Sequence, residues 1–246
     1  SWMPLAAWCG VALTLIEPTD QAVEPPSCGF FSISMTSRPS APASIAAARS
    51  RWDVYVSQHG EIPPMGAYAT AGLDVGEFGT DSNVLCFRYG GFVERLIPWG
   101  GLDTMETSDR AVNEQRCRKV SAVNVDATGV GAGVAPAMQR QGCTAISVKV
   151  ASSPTQKTEQ GEFQIMRDQL WWSCREWLRT DSCAMLPPDE LLIEELQIPT
   201  YEVHRGKIRV MKKDTMREVL KRSPDRADSL CLTFHSGGFF AGLDFS

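Results

Sequence analysis

The sequence predicts an α/β fold, with a mixed β-sheet flanked by helices. Three observations carry that prediction. Two short apolar runs, "YATAGLDVG" and "AVNVDA", each end in an aspartate, as buried strands do where they reach a sheet edge. A third run, "CTAISVKV", follows one helical stretch later. "NVLCFRYGGFVERLIPW" is a hairpin that turns at Gly90 and Gly91.

The stretch before Tyr68 is poor in charge and rich in Ala, Ser and Pro. It shows no sustained period, and only "SAPASIAAARSRW" favours a short helix. We therefore expect residues 1–70 to be an irregular extension, 71–236 a folded domain and 237–246 a tail. The first strand ends in Asp74 and the second in Asp126. Between them, "TSDRAVNEQRCRKV" is helical, with Thr107 or Ser108 placed as the cap. "GVGAGVAPAMQRQG" is a glycine-rich turn and a helix closed by Gly142.

"GEFQIMRDQLWWSCREWLRT" is a long amphipathic helix with Phe163, Met166, Leu170, Trp171, Cys174, Trp177 and Leu178 on its stripe. That stripe places Trp171, Trp172 and Trp177 in the core. "PPDELLIEELQI" is a further helix. "TYEVHRGKIRVM" alternates and turns at Arg205-Gly206, giving a C-terminal β-hairpin. "KKDTMREVLKR" and "SPDRADSLCLTF" are helices, the last with Ser223 as cap and Pro224 in its first turn.

Of the 246 residues, 43% are hydrophobic and 22% charged, which suits a globular core. The net charge of −5 gives no global basic signal, although a carboxylate site can coexist with a local basic face. The eight cysteines form no C-x-x-C pair and are expected to be reduced core residues of a cytosolic protein. His59, His204 and His235 are too dispersed for a zinc site. Trp2 to Ile16 is apolar but too short to span a bilayer.

Four aspartates carry the chemistry. Ligands collect at the carboxyl ends of strands in open α/β sheets, where Asp74 and Asp126 stand. Asp225 and Asp228 are three apart on one helix and share a face. Clustered carboxylates repel unless a cation sits among them, and hard divalent ions take oxygen ligands. Two ions about 4 Å apart clamp a phosphodiester. Each aspartate alone also suits a turn or a first helical turn.

"AGLDVGEFGTDSNVLCFRYG", "NVDATGVGAGV" and "SPDRADSLCLTF" together resemble the nuclease domain of the large terminase subunit of tailed bacteriophages. The resemblance runs from about Ala71 to Phe234. It implies an RNase H-like fold and metal-dependent cleavage of concatemeric double-stranded DNA during genome packaging. It further implies Mg2+ or Mn2+ as cofactor and an infected or lysogenic bacterial cytoplasm as location. Asp74 matches the first metal ligand and Asp126 the second. The third falls at Asp225 or Asp228, and Asp81 is an auxiliary ligand. Gly129, Gly131 and Gly133 form the tight turn after Asp126.

A complete large terminase also carries an ATPase motor, and no G-x-x-x-x-G-K-[ST] occurs here. We expect no ATP hydrolysis by this chain, which would be a cut-down domain or the product of a split gene. A separate motor, a small terminase subunit and a portal are the implied partners. DNA contact is expected from Arg205, Lys207, Arg209, Lys212, Lys213, Arg217, Lys221 and Arg222. The rivals are another RNase H-like enzyme such as a junction resolvase, and a non-catalytic remnant. A dinucleotide site matches poorly, because Val134 replaces the third glycine and Asp126 precedes the loop.

Overall fold

The computed structural model describes residues 41–76 and 82–235. In chain order the elements are α1 (Ala41–His59), β1 (Ala69–Asp74), β2 (Asn83–Tyr89), β3 (Phe92–Val93), β4 (Ile97–Trp99) and α2 (Thr104–Arg118). They continue with β5 (Val123–Asp126), α3 (Val134–Arg140), β6 (Ala145–Val148), β7 (Lys157–Thr158), β8 (Gly161–Phe163) and α4 (Met166–Thr180). The last are α5 (Glu190–Gln197), β9 (Tyr201–His204), β10 (Lys207–Val210), α6 (Lys213–Leu220) and α7 (Asp225–Leu232).

The main sheet has the order β3-β2-β1-β5-β6, with β4 also paired to β2. β1 is antiparallel to β2 and parallel to β5, and β5 is parallel to β6. The sheet is covered on both faces. Leu85 and Phe87 of β2 pack with Ala111 and Val112 of α2 and Met138 of α3. Val84 and Cys86, the alternate residues, pack with Leu170 and Cys174 of α4 and Leu230 and Cys231 of α7. Burial on both sides explains why these strands are nearly continuous apolar runs. A second sheet has the order β7-β8-β10-β9.

The position of α7 matters most for the site. It crosses β1 at Gly72, where a Cβ would lie 2.1 Å from the Ser229 carbonyl oxygen. Only a residue without a Cβ allows that approach. Arg88 of β2 donates from Nε to Thr233 Oγ1 at 2.9 Å and from Nη2 to the Thr233 carbonyl at 3.0 Å. Asn124 of β5 donates to the Leu232 carbonyl at 2.9 Å. The C-terminal end of the helix is thus pinned over the middle of the sheet. Its N-terminal turn, with Asp225 and Asp228, projects toward the end of β1.

Several local expectations change. Residues 41–59 are helical, and Ile45, Ala48 and Trp52 are buried in the body of the fold, so this part of the chain is not an irregular extension. Asp103, not Thr107 or Ser108, caps α2. Its Oδ1 accepts from the Met105 and Glu106 amides at 2.8 Å, and Glu106 returns a bond to the Asp103 amide. Thr107 and Ser108 are buried inside the helix.

Gly161–Phe163 is a strand, and its helix begins only at Met166. The residue before α7 is Pro224, while Ser223 accepts from Arg217 Nε at 3.2 Å instead of capping. Of the described cysteines, Cys86, Cys174 and Cys231 are buried, but Cys117 and Cys183 are exposed. No helix among the described residues is long and apolar enough to cross a membrane. Trp2–Ile16 and residues 237–246 lie outside them.

Candidate active site

β1 and β5 are parallel neighbours with Leu73 beside Val125, so the aspartates that follow, Asp74 and Asp126, leave the sheet at one edge. Asp74 is 3% exposed. Asp126 Oδ1 accepts the Thr128 amide at 2.9 Å, which folds the chain back after β5. The turn then passes so close that a Cβ on Gly131 would lie 2.1 Å from the Asp126 carbonyl oxygen. That contact accounts for the glycine in the middle of the turn.

α7 brings Asp228 to the same edge. Its Oδ2 lies 2.8 Å from Lys213 Nζ, and the same ammonium stands 3.8 Å from Asp74 Oδ2. Its Oδ1 accepts from Trp171 Nε1 at 2.9 Å, with Arg167 Nε 3.8 Å away. Asp126, Arg167, Trp171, Lys213 and Asp228 line one small cleft. The guanidinium of Arg167 also lies over the Trp171 ring at 5.2 Å and donates to the Met211 carbonyl at 2.9 Å.

The electrostatics divide the acids. Burial pushes Asp74 well above the usual carboxylate range; Lys213 opposes this, while Asp228, Asp225 and Asp126 add to it. Burial also raises Asp126, against the Thr128 hydrogen bonds and Lys213. Burial works the same way on Asp228, but there Lys213, Arg167 and the Trp171 hydrogen bond prevail and hold it below the ordinary range. Burial opposes the charge of Lys213, yet Asp228 and Asp74 hold the ammonium far above its usual value. Lys213 and Arg167 thus face the three carboxyl groups of Asp74, Asp126 and Asp228.

Asp225 faces another way. Its Oδ2 accepts the Ser82 amide at 3.2 Å, and it lines a separate pocket with Glu195, Arg222 and Arg226. Asp81 lies outside the described residues. Among the described residues, no three His, Cys, Asp or Glu side chains are grouped closely enough to hold one ion as they stand. Lys213 Nζ occupies the space between two of the candidates.

The residues expected to meet DNA also divide. Arg205, Lys207, Lys212, Arg217 and Lys221 are exposed on the hairpin and on α6 or its end. Arg209 is partly buried and lies beside Gln164 and Glu202. Arg222 is partly buried against Glu194 and Glu195. Lys213 does not belong to that surface, because its charge is committed to Asp74 and Asp228. Trp171, which sequence periodicity assigned to an apolar helical stripe, and Arg167, which no motif marks, also line the site.

No protein-family profile and no curated protein matches the sequence. Solved structures do match. The nuclease domain of the large terminase subunit gp2 of bacterial virus Sf6 is 23% identical, with a TM-score of 0.64 over 78% of this chain and 96% of that one. A K428A mutant of the same domain, solved with manganese and beta-thujaplicinol, matches at 22% identity and the same TM-score and coverage. The large terminase nuclease from thermophilic phage G20c is 18% identical, with a TM-score of 0.51 over 70% of this chain and 83% of that one. Its magnesium-bound form matches at 17% identity and a TM-score of 0.51. This chain therefore has the mixed α/β, RNase H-like fold of the nuclease domains of phage large terminase subunits.

Proposed function

We propose that the chain is a metal-dependent endonuclease that cleaves double-stranded phage DNA concatemers during genome packaging. The observation that carries this is the carboxylate group at the ends of β1 and β5 and in the first turn of α7, two of whose members, Asp74 and Asp228, are bridged by Lys213. Buried oxygen donors that need a cation, at a sheet edge of this fold, suit a hard divalent ion. Asp74, Asp126 and Asp228 would hold Mg2+ or Mn2+, with Asp81 as an auxiliary ligand, and Asp225, tied to Ser82, would support the arrangement from outside it.

A pair of such ions supplies an activated water and stabilises the leaving oxygen of a phosphodiester. The protein's own residues prepare the site. Trp171 commits Asp228 Oδ1 and so orients Oδ2 toward Asp74. Lys213 holds the two acids together and is the group with which a divalent ion competes. The exposed cations of the hairpin and α6, Arg205, Lys207, Lys212, Arg217 and Lys221, supply sequence-independent phosphate contacts.

The reading extends to a packaging ATPase motor, a small terminase subunit and a portal as partners, in the cytoplasm of an infected or lysogenic bacterium, and the likeness to terminase nuclease domains supports it. The test is digestion of supercoiled plasmid by the purified chain with Mn2+, with Mg2+ and with EDTA, beside Asp126→Ala. We expect cutting only with metal and none by the variant. A folded wild-type protein that leaves the plasmid intact with both ions would remove the proposal.

A further inference from the structure

Arg167 stands in the first turn of α4, on the wall of the cleft that Asp126 and Asp228 line. Its backbone and its side chain are tied to the elements around that cleft. The Arg167 amide donates to the Val150 carbonyl at 2.9 Å, just past the end of β6, where Val148 lies beside Asp126. Nη1 donates to the Met211 carbonyl at 2.9 Å, two residues before Lys213. Nη2 donates to Met216 Sδ at 3.2 Å, three residues after Lys213. The neighbouring Asp168 accepts the Val210 amide at 2.9 Å, so residues 210 and 211 are both held from α4.

The same guanidinium reaches α7. It lies over the ring of Trp171, which donates to Asp228 Oδ1, and its own Nε stands 3.8 Å from that oxygen. One planar group therefore holds both the start of α6, which sets where Lys213 Nζ lies, and the carboxylate of Asp228. Little of it is left for DNA. Nη1 and Nη2 have acceptors within the protein, Nε is shielded from solvent, and the side chain is 11% exposed.

We infer that Arg167 is a positioning residue of the acid group, setting Lys213 and Asp228 relative to each other and to Asp126 without touching DNA. The inference rests on the nuclease proposal and deepens it. Partners that orient a metal-binding carboxylate typically change metal affinity or activity by about 10–100-fold. Lysine cannot stand in for this arginine, because a point charge does not span a carbonyl, a sulfur and a carboxylate.

The test compares Arg167→Met and Arg167→Lys with the wild type in three measurements. These are Mn2+ binding by calorimetry without DNA, binding of a short labelled duplex in EDTA over a salt series, and single-turnover plasmid cutting in Mn2+ at saturating DNA. Both variants should bind Mn2+ and cut more weakly than the wild type by about 10–100-fold. Duplex affinity and its salt slope should stay at the wild-type values, since no phosphate contact is lost. Arg179→Gln, on the exposed end of α4, should match the wild type throughout. Wild-type Mn2+ affinity and cutting rate in both variants would overturn the inference. A shallower salt slope with an unchanged cutting rate would also overturn it, by marking a phosphate contact. Full rescue by Arg167→Lys would do so too, by marking a charge alone. Should Arg167→Met fail to fold, Arg167→Lys, which keeps a charge beside Asp228, decides with the same expected losses. Mn2+ binding that depends on Arg167, without cutting by the wild type, would keep the positioning role and remove the nuclease proposal. Metal-dependent cutting with no dependence on Arg167 would do the reverse.

Discussion

Lys213 Nζ lies 2.8 Å from Asp228 Oδ2 and 3.8 Å from Asp74 Oδ2, so one ammonium ties a helix carboxylate to a strand carboxylate. Replacing it with methionine, Lys213→Met, leaves the two acids facing each other. In EDTA the variant should lose about 1–3 kcal/mol, less than a fully buried pair would cost because the lysine is partly exposed. Mn2+ should restore that loss, so the metal-induced rise in Tm should be larger in the variant than in the wild type. Thermal unfolding with and without Mn2+ checks this, and equal rises in both proteins would contradict the competition between lysine and metal.

Trp171 Nε1 holds the other oxygen of Asp228 at 2.9 Å. Trp171→Phe keeps most of the buried ring and removes the donor. A hydrogen bond to a charged group contributes about 1.5–3 kcal/mol, and urea unfolding should show a loss in that range. Cutting should fall as well, with a higher Mn2+ requirement, because Asp228 is no longer oriented. Full cutting at the wild-type metal requirement would limit Trp171 to packing.

Gly72 lets α7 lie on β1. In Gly72→Ala the added Cβ would meet the Ser229 carbonyl at 2.1 Å, so helix or strand must shift. Overpacking of this kind costs about 1–3 kcal/mol. The shift also moves Asp228 away from Asp74, so cutting should fall more than stability alone explains. A denaturation midpoint equal to that of the wild type would show that the helix does not need this approach.

Burial raises Glu195 from its ordinary value of 4.5 to about 8. The folded protein then keeps a proton that the unfolded chain releases. The contribution is neutral below about pH 4.5, becomes increasingly destabilising as pH rises toward 8, and levels off above that. Glu195→Gln should flatten this part of the stability profile. Urea unfolding at pH 5, 6, 7 and 8 checks it, and parallel profiles for the two proteins would reject the assignment.

Much of this architecture is legible in the sequence because burial writes itself into residue order. β1 and β5 are apolar runs closed by aspartates, and β9–β10 alternates around Arg205-Gly206. The neighbouring of Asp74 and Asp126 follows once those strands pair. α1 is harder to read. Its buried side, with Ile45, Ala48 and Trp52, is spread through an Ala-rich stretch that lacks a strong apolar stripe. β7 and β8 have two and three residues, too few for any period to show.

Lys213 illustrates the remaining difficulty. It follows Lys212 in a basic run, yet Lys212 is exposed while Lys213 reaches a carboxylate 139 positions earlier in the chain. Only the tertiary packing distinguishes them. The same holds for Arg222, whose pairing with Glu194 and Glu195 depends on α5 packing beside it. The capping of α2 by Asp103 was legible in principle, since Asp103 and Glu106 have capping-box spacing.

The central claim is that Asp74, Asp126 and Asp228 act as one metal-dependent cutting group. The most direct measurement is the single-turnover rate of plasmid cutting in Mn2+ by four variants, Asp74→Asn, Asp126→Asn, Asp228→Asn and Asp225→Asn. The account predicts loss of cutting by at least about a thousandfold in the first three, a transition-state loss of about 4 kcal/mol. It predicts a smaller loss in Asp225→Asn. Cutting at the wild-type rate by Asp74→Asn, Asp126→Asn or Asp228→Asn would contradict it.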